Sequence, residues 1–419
     1  MDSFWRQDGA ATGTATDRPF GREYVRAELE AALRDHPMDV EAALADLGLL
    51  DAADGAPRLA FRHSHGAHVL DLAAGADAGE ASANHRIVAV QLPALATSET
   101  SGAVTGYFAM HALDHILACV RRIGAVIGTP PPVVVNFSYG FSGGPHDGGG
   151  LMEQAIEALT HGDGDAARGA IIARASIDRG DVPGGGPDVG RRRLLIATAP
   201  TEIAAGLTRD PAPAGLWQVE VTAPLAAGRS MHAWIQRDDP PRGYRNRGRQ
   251  SYFDDPGYER FDALGGALDV DPDAACVVRR AGSISGMATG PGTVVVGAVR
   301  GPTGDELPSP YSASAISAVA AWPGAAHRPA GAARGDASRA LPGILGAGAR
   351  SGVRVAMNGS SVAAPQVSRE IARRLLAEQA PQVQTLFWAP TRGVDADREG
   401  GGRLAVDPAL RFQVERDAP

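Results

Sequence analysis

Cysteine is scarce in this chain of 419 residues, which contains only Cys119 and Cys276. Two cysteines cannot form the disulfide framework that stabilises small secreted domains. The pattern around Cys119 is helical and that around Cys276 is strand-like, so no disulfide pairing is predicted. Cysteine usage therefore leaves the redox compartment of the protein open.

The sequence also lacks an excess of positive charge, a long apolar run and a signal peptide. Its formal net charge is -8, which provides no basic field to attract nucleic acid or anionic lipid. No stretch approaches the roughly 18 apolar residues of a membrane-spanning helix, and the first 20 residues lack a basic start and an apolar centre. We therefore expect no nucleic-acid partner, no membrane association and a cytoplasmic location for the chain as written.

The central part of the sequence alternates between strand and helix patterns. A short apolar run over 87–92 is typical of a buried parallel strand, an amphipathic helix is predicted over 105–123, and the next strand over 133–137. A second helix is predicted over 151–159 and a further strand over 170–173. This alternation predicts an α/β fold with a largely parallel, doubly wound sheet.

The N-terminal residues have a different pattern. Residues 1–20 are polar and predicted to be irregular, whereas apolar residues at helical spacing predict a helix over 22–36. Asp39 is predicted to cap a second helix that ends at Gly48. We therefore interpret residues 1–60 as a helical N-terminal extension.

The rest of the chain, residues 61–419, is interpreted as the main domain. Short alternating stretches near 190–275 predict an inserted, β-rich antiparallel region. A buried strand is predicted over 294–299, and a final helix over 363–378.

Three histidines, His63, His65 and His68, form a compact HxHxxH cluster. Neutral imidazoles at this spacing could bind zinc, or one of them could be a catalytic base with its neighbours in structural roles. A zinc-binding version would be expected to carry an acid before the third histidine, where Ala67 stands, and no further set of ligands is evident. We therefore predict no metal site here, although the spacing itself does not decide between these uses.

A second candidate for chemistry is Ser361, which follows a glycine and begins a predicted helix. A serine at a helix N-terminus has a backbone N–H available to bind an oxyanion, and the helix dipole favours the negative charge that develops there. Ser361 is therefore placed as a nucleophile would be.

These two segments carry a resemblance to a known family. The sequence GSSVAAP over 359–365 resembles the GTSMAAP block around the nucleophile of subtilases, and HGAHV over 65–69 is similar to their HGTHV block. The chain thus resembles the subtilisin-like serine peptidases. The resemblance implies a subtilisin-like three-layer fold and a serine-type endopeptidase, with His65 as general base, Ser361 as nucleophile, a peptide or protein substrate and no cofactor.

Smaller matches extend the resemblance over roughly 61–380. The segment VNFSYG over 135–140 looks like the family's substrate-lining strand VNMSLG, which implies that Ser138, Tyr139 and Gly140 bind substrate by β-augmentation. Further matches are a strand ending in VGA at 296–298, a YSA turn beginning at Tyr311 that is similar to the family's YSS turn, and a PGI turn over 342–344.

Two elements of the family pattern are not found. The triad aspartate stands at the end of an N-terminal strand, but Asp2 has no strand before it and Asp51 directly follows a helix. We therefore expect this aspartate to lie upstream of Met1. The family's oxyanion asparagine is replaced near Ile177, where Ser176 is a conceivable donor. A second hypothesis is therefore a non-catalytic pseudopeptidase that retains a peptide-binding cleft.

Overall fold

The structure is a computed structural model, and it describes the residues of the following ranges: 1–8, 20–50, 62–75, 85–93, 96, 102–141, 146, 148–161, 278, 280–290, 292–301, 307–315, 328–337, 343–350, 352–377, 382–389 and 393–405. The predicted strand over 170–173, the predicted insertion near 190–275, Cys276 and Asp51 lie outside these residues.

The described residues form a mixed arrangement of helices and strands. The strands are β1 (Ser3–Arg6), β2 (Arg22–Val25), β3 (Val88–Gln91), β4 (Val296–Arg300), β5 (Leu307–Pro308), β6 (Gly331–Asp336), β7 (Ile344–Ala347), β8 (Arg354–Met357), β9 (Phe387–Trp388) and β10 (Arg403–Leu404). The helices are α1 (Arg26–Asp35), α2 (Val40–Asp46), α3 (His65–Ala74), α4 (Ala103–Ile127), α5 (Leu151–His161), α6 (Ser360–Leu376) and α7 (Ala396–Glu399).

These strands form three sheets with both parallel and antiparallel pairs. The first has the order β2-β1-β3, with β1 antiparallel to β2 and parallel to β3. The second has the order β5-β4-β6-β10-β9, with a parallel centre and antiparallel edges, and β7 and β8 form an antiparallel hairpin. The described part of the chain is therefore an α/β fold with mixed sheets.

The prediction that residues 1–20 are irregular is wrong at residues 3–6, which form β1. This strand lies in the middle of its sheet, and its Trp5 side chain is 1% exposed. The Trp5 ring stacks on Phe20 and donates a hydrogen bond from Nε1 to the Phe20 carbonyl. Asp2 accepts hydrogen bonds from Arg26, Arg86 and the Ile87 backbone N–H, so it fixes the start of β1 beside β3.

The helix predicted over 22–36 begins four residues later than expected, at Arg26. Residues 22–25 instead form β2, because their backbone pairs with β1 in an antiparallel ladder. Tyr24 faces the core, and its hydroxyl donates a hydrogen bond to the Leu47 carbonyl. The N-terminal 60 residues therefore supply two strands in addition to helices.

Several predicted elements are confirmed. Asp39 caps α2 by accepting a hydrogen bond from the Ala42 N–H at 3.0 Å, an interaction worth about 1 kcal/mol. The predicted strand over 87–92 is β3, and it pairs in parallel with β1. The two central helices and the C-terminal helix are α4, α5 and α6.

The strand predicted over 133–137 is absent from the described ladders, and only Val133 forms an isolated bridge. The side chains alternate as they would in a strand: Val134 packs against the core around α6, while Val135 and Phe137 pack against the core between α4 and α5. The run is apolar because side chains on both faces of this segment pack against core residues. An apolar sequence alone does not provide a neighbouring strand for backbone hydrogen bonds, so the segment does not form a ladder.

The largest described core cluster lies between α6 and the second sheet. It consists of Ala298, Ala333, Ala363, Val367, Ile371, Val383, Leu386, Phe387 and Leu404. Because small residues such as Ala298 and Ala363 are fully buried there, α6 can approach β4 and β6 closely. The position of the N-terminus of α6 is therefore fixed by core packing.

Candidate functional site

Ser361 is the second residue of α6, and its side chain is partly buried. Its hydroxyl donates a hydrogen bond of 3.2 Å to the Ser138 carbonyl. The first N–H groups of an α-helix have no acceptor within the helix, so the backbone N–H of Ser361 is oriented towards any ligand at this end. Ser361 thus places a hydroxyl group and a backbone N–H side by side at the start of α6.

Gly359 forms the turn that presents Ser361. Its backbone has φ 134° and ψ 165°, a region that is essentially restricted to glycine. The Gly359 carbonyl accepts hydrogen bonds from the N–H groups of Val362 and Ala363, which closes the first turn of α6. A Cβ at this position would have space, with Ser361 N as its nearest atom at 3.7 Å, but the positive φ would strain any residue other than glycine.

Pro365 lies within α6, four residues after Ser361. Because proline has no backbone N–H, the usual helical hydrogen bond to the Ser361 carbonyl cannot form. The Pro365 ring is fully buried against the core. The first turn of α6 is therefore held by the Gly359 turn and by packing, with one helical hydrogen bond fewer than usual.

Tyr311 connects this turn to the end of β6. Its hydroxyl donates to the Asp336 carboxylate at 2.5 Å and accepts a hydrogen bond from the Gly359 N–H at 3.1 Å. Asp336 also accepts hydrogen bonds from the Ser309 hydroxyl and the Gly343 N–H. Burial and the Asp336 carboxylate raise the pKa of Tyr311, so the phenol stays protonated and keeps both bonds.

His65 is the first residue of α3, and Ser64 caps this helix by accepting a hydrogen bond from the Ala67 N–H. The His65 side chain is accessible at the helix end, where nearby protein partly desolvates it. This desolvation lowers the pKa of His65. The imidazole is therefore neutral at neutral pH, as a general base must be.

Helix α3 packs against both α6 and β7, and one side-chain hydrogen bond joins it to each of them. Asp71 of α3 accepts a hydrogen bond from the Ala347 N–H of β7 at 2.8 Å, and Arg369 of α6 donates to the Gly75 carbonyl at the end of α3. Arg369 lies in the third turn of α6, beside the C-terminal end of α3.

His68 is fully buried between α3 and β7, where its ring contacts Gly346 so closely that a Cβ there would lie 2.7 Å from ring atoms. Neither ring nitrogen has a hydrogen-bond partner among the described residues. Burial lowers the pKa of His68, although Asp71 opposes this effect. Among the described residues, His63, His65 and His68 are not part of a group of three converging ligand atoms.

Ser138, Tyr139 and Gly140 run beside the N-terminal end of α6. The Ser138 carbonyl contacts the Ser361 hydroxyl, and the Ser138 hydroxyl accepts a hydrogen bond from the Asn136 side chain at 2.9 Å. A Cβ on Gly140 would lie 2.7 Å from the Ser285 hydroxyl oxygen, so glycine permits this close approach. The structure thus brings the segment predicted to bind substrate into contact with Ser361.

The structure also shows a carboxylate that the sequence pattern did not reveal. Asp8 follows the carboxyl end of β1, and Gln7 immediately before it extends the pairing with β3 through a hydrogen bond to the Gln91 carbonyl. Asp8 accepts hydrogen bonds from Arg6 at 2.8 Å and from the Gln91 side chain at 3.5 Å. In the sequence, the only indication of this carboxylate was the pair Asp8-Gly9 directly after a short stretch of residues. That pair becomes recognisable as the end of a strand only once residues 3–6 are known to form β1.

The structure does not join these groups into a hydrogen-bonded triad. Within the described ranges, no hydrogen bond links His65 to Ser361 or Asp8 to His65, and the Ser361 hydroxyl is instead directed at Ser138. Ser176 and Ile177, the positions considered for the oxyanion donor, lie outside the described residues.

Comparison with known proteins gives no assignment, since no protein-family model, curated protein or solved structure matches this chain. None of the described helices, including the 25-residue α4, is both long and apolar enough to cross a membrane.

Proposed function

We propose that this protein is a serine-type endopeptidase with a subtilisin-like three-layer fold and a doubly wound sheet. The observation that carries the proposal is the packing of α3 against α6, with His65 first in one helix and Ser361 second in the other. The contact of Ser361 with Ser138 supports it, because the segment that resembles a substrate-binding strand borders the nucleophile. The substrate is a peptide or protein, and the chemistry requires no cofactor.

The proposed mechanism begins with a rotation of the Ser361 hydroxyl from the Ser138 carbonyl towards His65. The His65 imidazole takes the hydroxyl proton as the oxygen attacks the scissile carbonyl, and it returns this proton to the leaving amine. The Ser361 backbone N–H stabilises the oxyanion. Water, activated by His65, then hydrolyses the acyl-enzyme and regenerates the serine.

Asp8 is the proposed third member of the site. In the subtilases, which this chain resembles, the triad carboxylate follows an N-terminal strand of the sheet. Asp8 follows β1 in the same way. Such a carboxylate orients the imidazole and stabilises the imidazolium. In the present arrangement Asp8 is paired with Arg6, so that pair must open before Asp8 can reach His65.

The alternative is a non-catalytic peptide-binding pseudopeptidase. The observations that favour it are the hydrogen bond of Ser361 to a backbone carbonyl and the ion pair of Asp8 with Arg6, both of which divert catalytic groups from His65. In this alternative the segment 138–140 would still bind an extended peptide.

Covalent labelling with a fluorophosphonate distinguishes the two functions, because the reagent reacts with an activated serine. We expect intact-mass analysis to show one adduct on the protein, located on Ser361, and its loss in Ser361→Ala and His65→Ala. His36→Ala is a matched control, since His36 lies on the surface and pairs with Asp46. Absence of the adduct from the folded protein would support the pseudopeptidase and contradict the endopeptidase.

The pH dependence of hydrolysis should reflect His65. Because desolvation lowers its pKa, the base form persists to more acidic pH, and activity should fall only as the pH drops through this lowered value. We expect the acid limb of the kcat/KM profile to have its midpoint below the ordinary histidine value of about 6.5. A midpoint above that value, in enzyme shown to remain folded across the range, would contradict this assignment.

A further inference from the structure

A second cluster of chemical groups lies away from the proposed peptidase site, between the first sheet and α4. It contains Glu23 on β2 and, one helical turn apart on α4, His115 and Cys119. One possible ligand atom from each residue lies within 4.8 Å of the others. His115 is 0% exposed and Cys119 is 2% exposed, so the groups converge in the protein interior.

The distances in this cluster suit a four-coordinate zinc ion. His115 Nε2 lies 3.5 Å from Cys119 Sγ, and Glu23 Oε1 lies 3.9 Å from the same sulfur. Zinc binds imidazole nitrogen at about 2.0–2.1 Å and thiolate sulfur at about 2.3 Å, so the nitrogen and sulfur of a tetrahedral site lie about 3.6 Å apart. Thiolate, imidazole and carboxylate are zinc's usual donors, and three such ligands leave one coordination position open.

The cluster already attracts a positive charge. The Arg122 guanidinium donates hydrogen bonds to the Glu23 carboxylate and to Cys119 Sγ. Because the Arg122 side chain is 55% exposed, it can move into solvent and leave the carboxylate to a metal ion.

Ser3 contacts two of the proposed ligands. Its hydroxyl donates to Glu23 at 2.8 Å and so positions the carboxylate before any ion arrives. The same hydroxyl oxygen lies 3.1 Å from His115 Nε2, and zinc binding at this nitrogen would replace that contact.

We propose that Glu23, His115 and Cys119 form a zinc-binding site that ties the β1–β2 hairpin to α4, with Arg122 as a displaceable guanidinium. Zn²⁺ binding replaces the thiol proton of Cys119, which is released to solvent, and forms bonds to sulfur, imidazole nitrogen and carboxylate oxygen. The fourth position is taken by water.

Titration with Co²⁺ as a spectroscopic substitute for zinc tests the ligand set. We expect the full-length protein to bind one equivalent, with a sulfur-to-cobalt charge-transfer band and the intense visible bands of four-coordinate cobalt. The charge-transfer band should be lost in Cys119→Ser and retained in Cys276→Ser, the matched control. Absence of the band from the folded protein, or its persistence in Cys119→Ser, would overturn the proposal.

A second variant covers the case in which Cys119→Ser does not fold. Arg122→Ala removes a half-exposed side chain that competes with the metal for Glu23 and Cys119, so zinc affinity should rise by about tenfold. Zinc should also raise the Tm of both the wild-type protein and Arg122→Ala in a concentration-dependent way. Unchanged or weaker zinc affinity in Arg122→Ala would refute the proposed ligands.

Discussion

Replacing Ser361 with alanine is expected to lower kcat for peptide hydrolysis by about 10⁶-fold, the loss that accompanies removal of a serine nucleophile. The Ser361 side chain is small and only partly buried, so the substitution should barely change the free energy of unfolding. The loss of kcat would therefore reflect the missing nucleophile rather than a failure to fold. The measurement is kcat with a chromogenic peptide alongside a denaturant titration.

The adjacent serine offers a strict control for this substitution. Ser360 is exposed at the first position of α6. It has the same side chain as Ser361 and directly precedes it. Ser360→Ala should change kcat by less than about threefold. Equal effects of the two substitutions would show that disturbance of the helix start, rather than loss of the nucleophile, causes the defect.

Replacing Asp8 with asparagine should lower kcat by about 10⁴-fold, because the amide keeps the shape of the side chain but does not stabilise an imidazolium. Ser361 and His65 would remain, so slow fluorophosphonate labelling should persist. Arg6 is buried and its pair with Asp8 is largely shielded from solvent, so removing the carboxylate charge should lower stability by about 2–3 kcal/mol. A 10⁴-fold loss of kcat corresponds to about 5 kcal/mol, so the effect on rate should exceed the effect on stability.

Asp2→Asn is the matched control for Asp8, since the two aspartates stand at opposite ends of β1. Asp2 binds Arg26, Arg86 and the Ile87 N–H, so its substitution should reduce stability with little change in kcat. A kcat for Asp8→Asn within tenfold of the wild-type value would exclude Asp8 from the proposed triad. The carboxylate would then have to be sought elsewhere in the chain.

Sequence reasoning predicted elements whose signals are local. Asp39 caps α2 as expected because an N-cap needs only a short polar side chain and a helix after it. Helix α4 was recognised from its amphipathic spacing for the same reason. The position of Ser361 at the start of α6 also followed from local signals, a glycine turn before a helix.

Other features depended on partners distant in sequence. The four residues of β1 include polar Ser3 and Arg6, so no apolar pattern marked the strand, and its identity comes from pairing with β3 more than 80 residues later. Residues 22–25 continued a helical spacing, but pairing with β1 made them a strand. Missing β1 also concealed Asp8, whose proposed role depends on its position after the end of that strand.

The buried cluster at Glu23, His115 and Cys119 could not be found from spacing alone. His115 and Cys119 are one helical turn apart, which is common in helices without any metal. Glu23 reaches them only because β2 pairs with β1 and the first sheet packs against α4. Long-range pairing, rather than local propensity, brings the three members of this cluster together.

For the proposed endopeptidase, the separation of α3 and α6 along the chain also sets when the site can be assembled during synthesis. His65 leaves the ribosome early, but its proposed partner Ser361 follows almost 300 residues later. At about 5–20 residues per second, this interval lasts roughly 15–60 s. Throughout it the growing chain carries the proposed base without the proposed nucleophile, so under the proposed mechanism it cannot cut its own N-terminal segments or those of its neighbours.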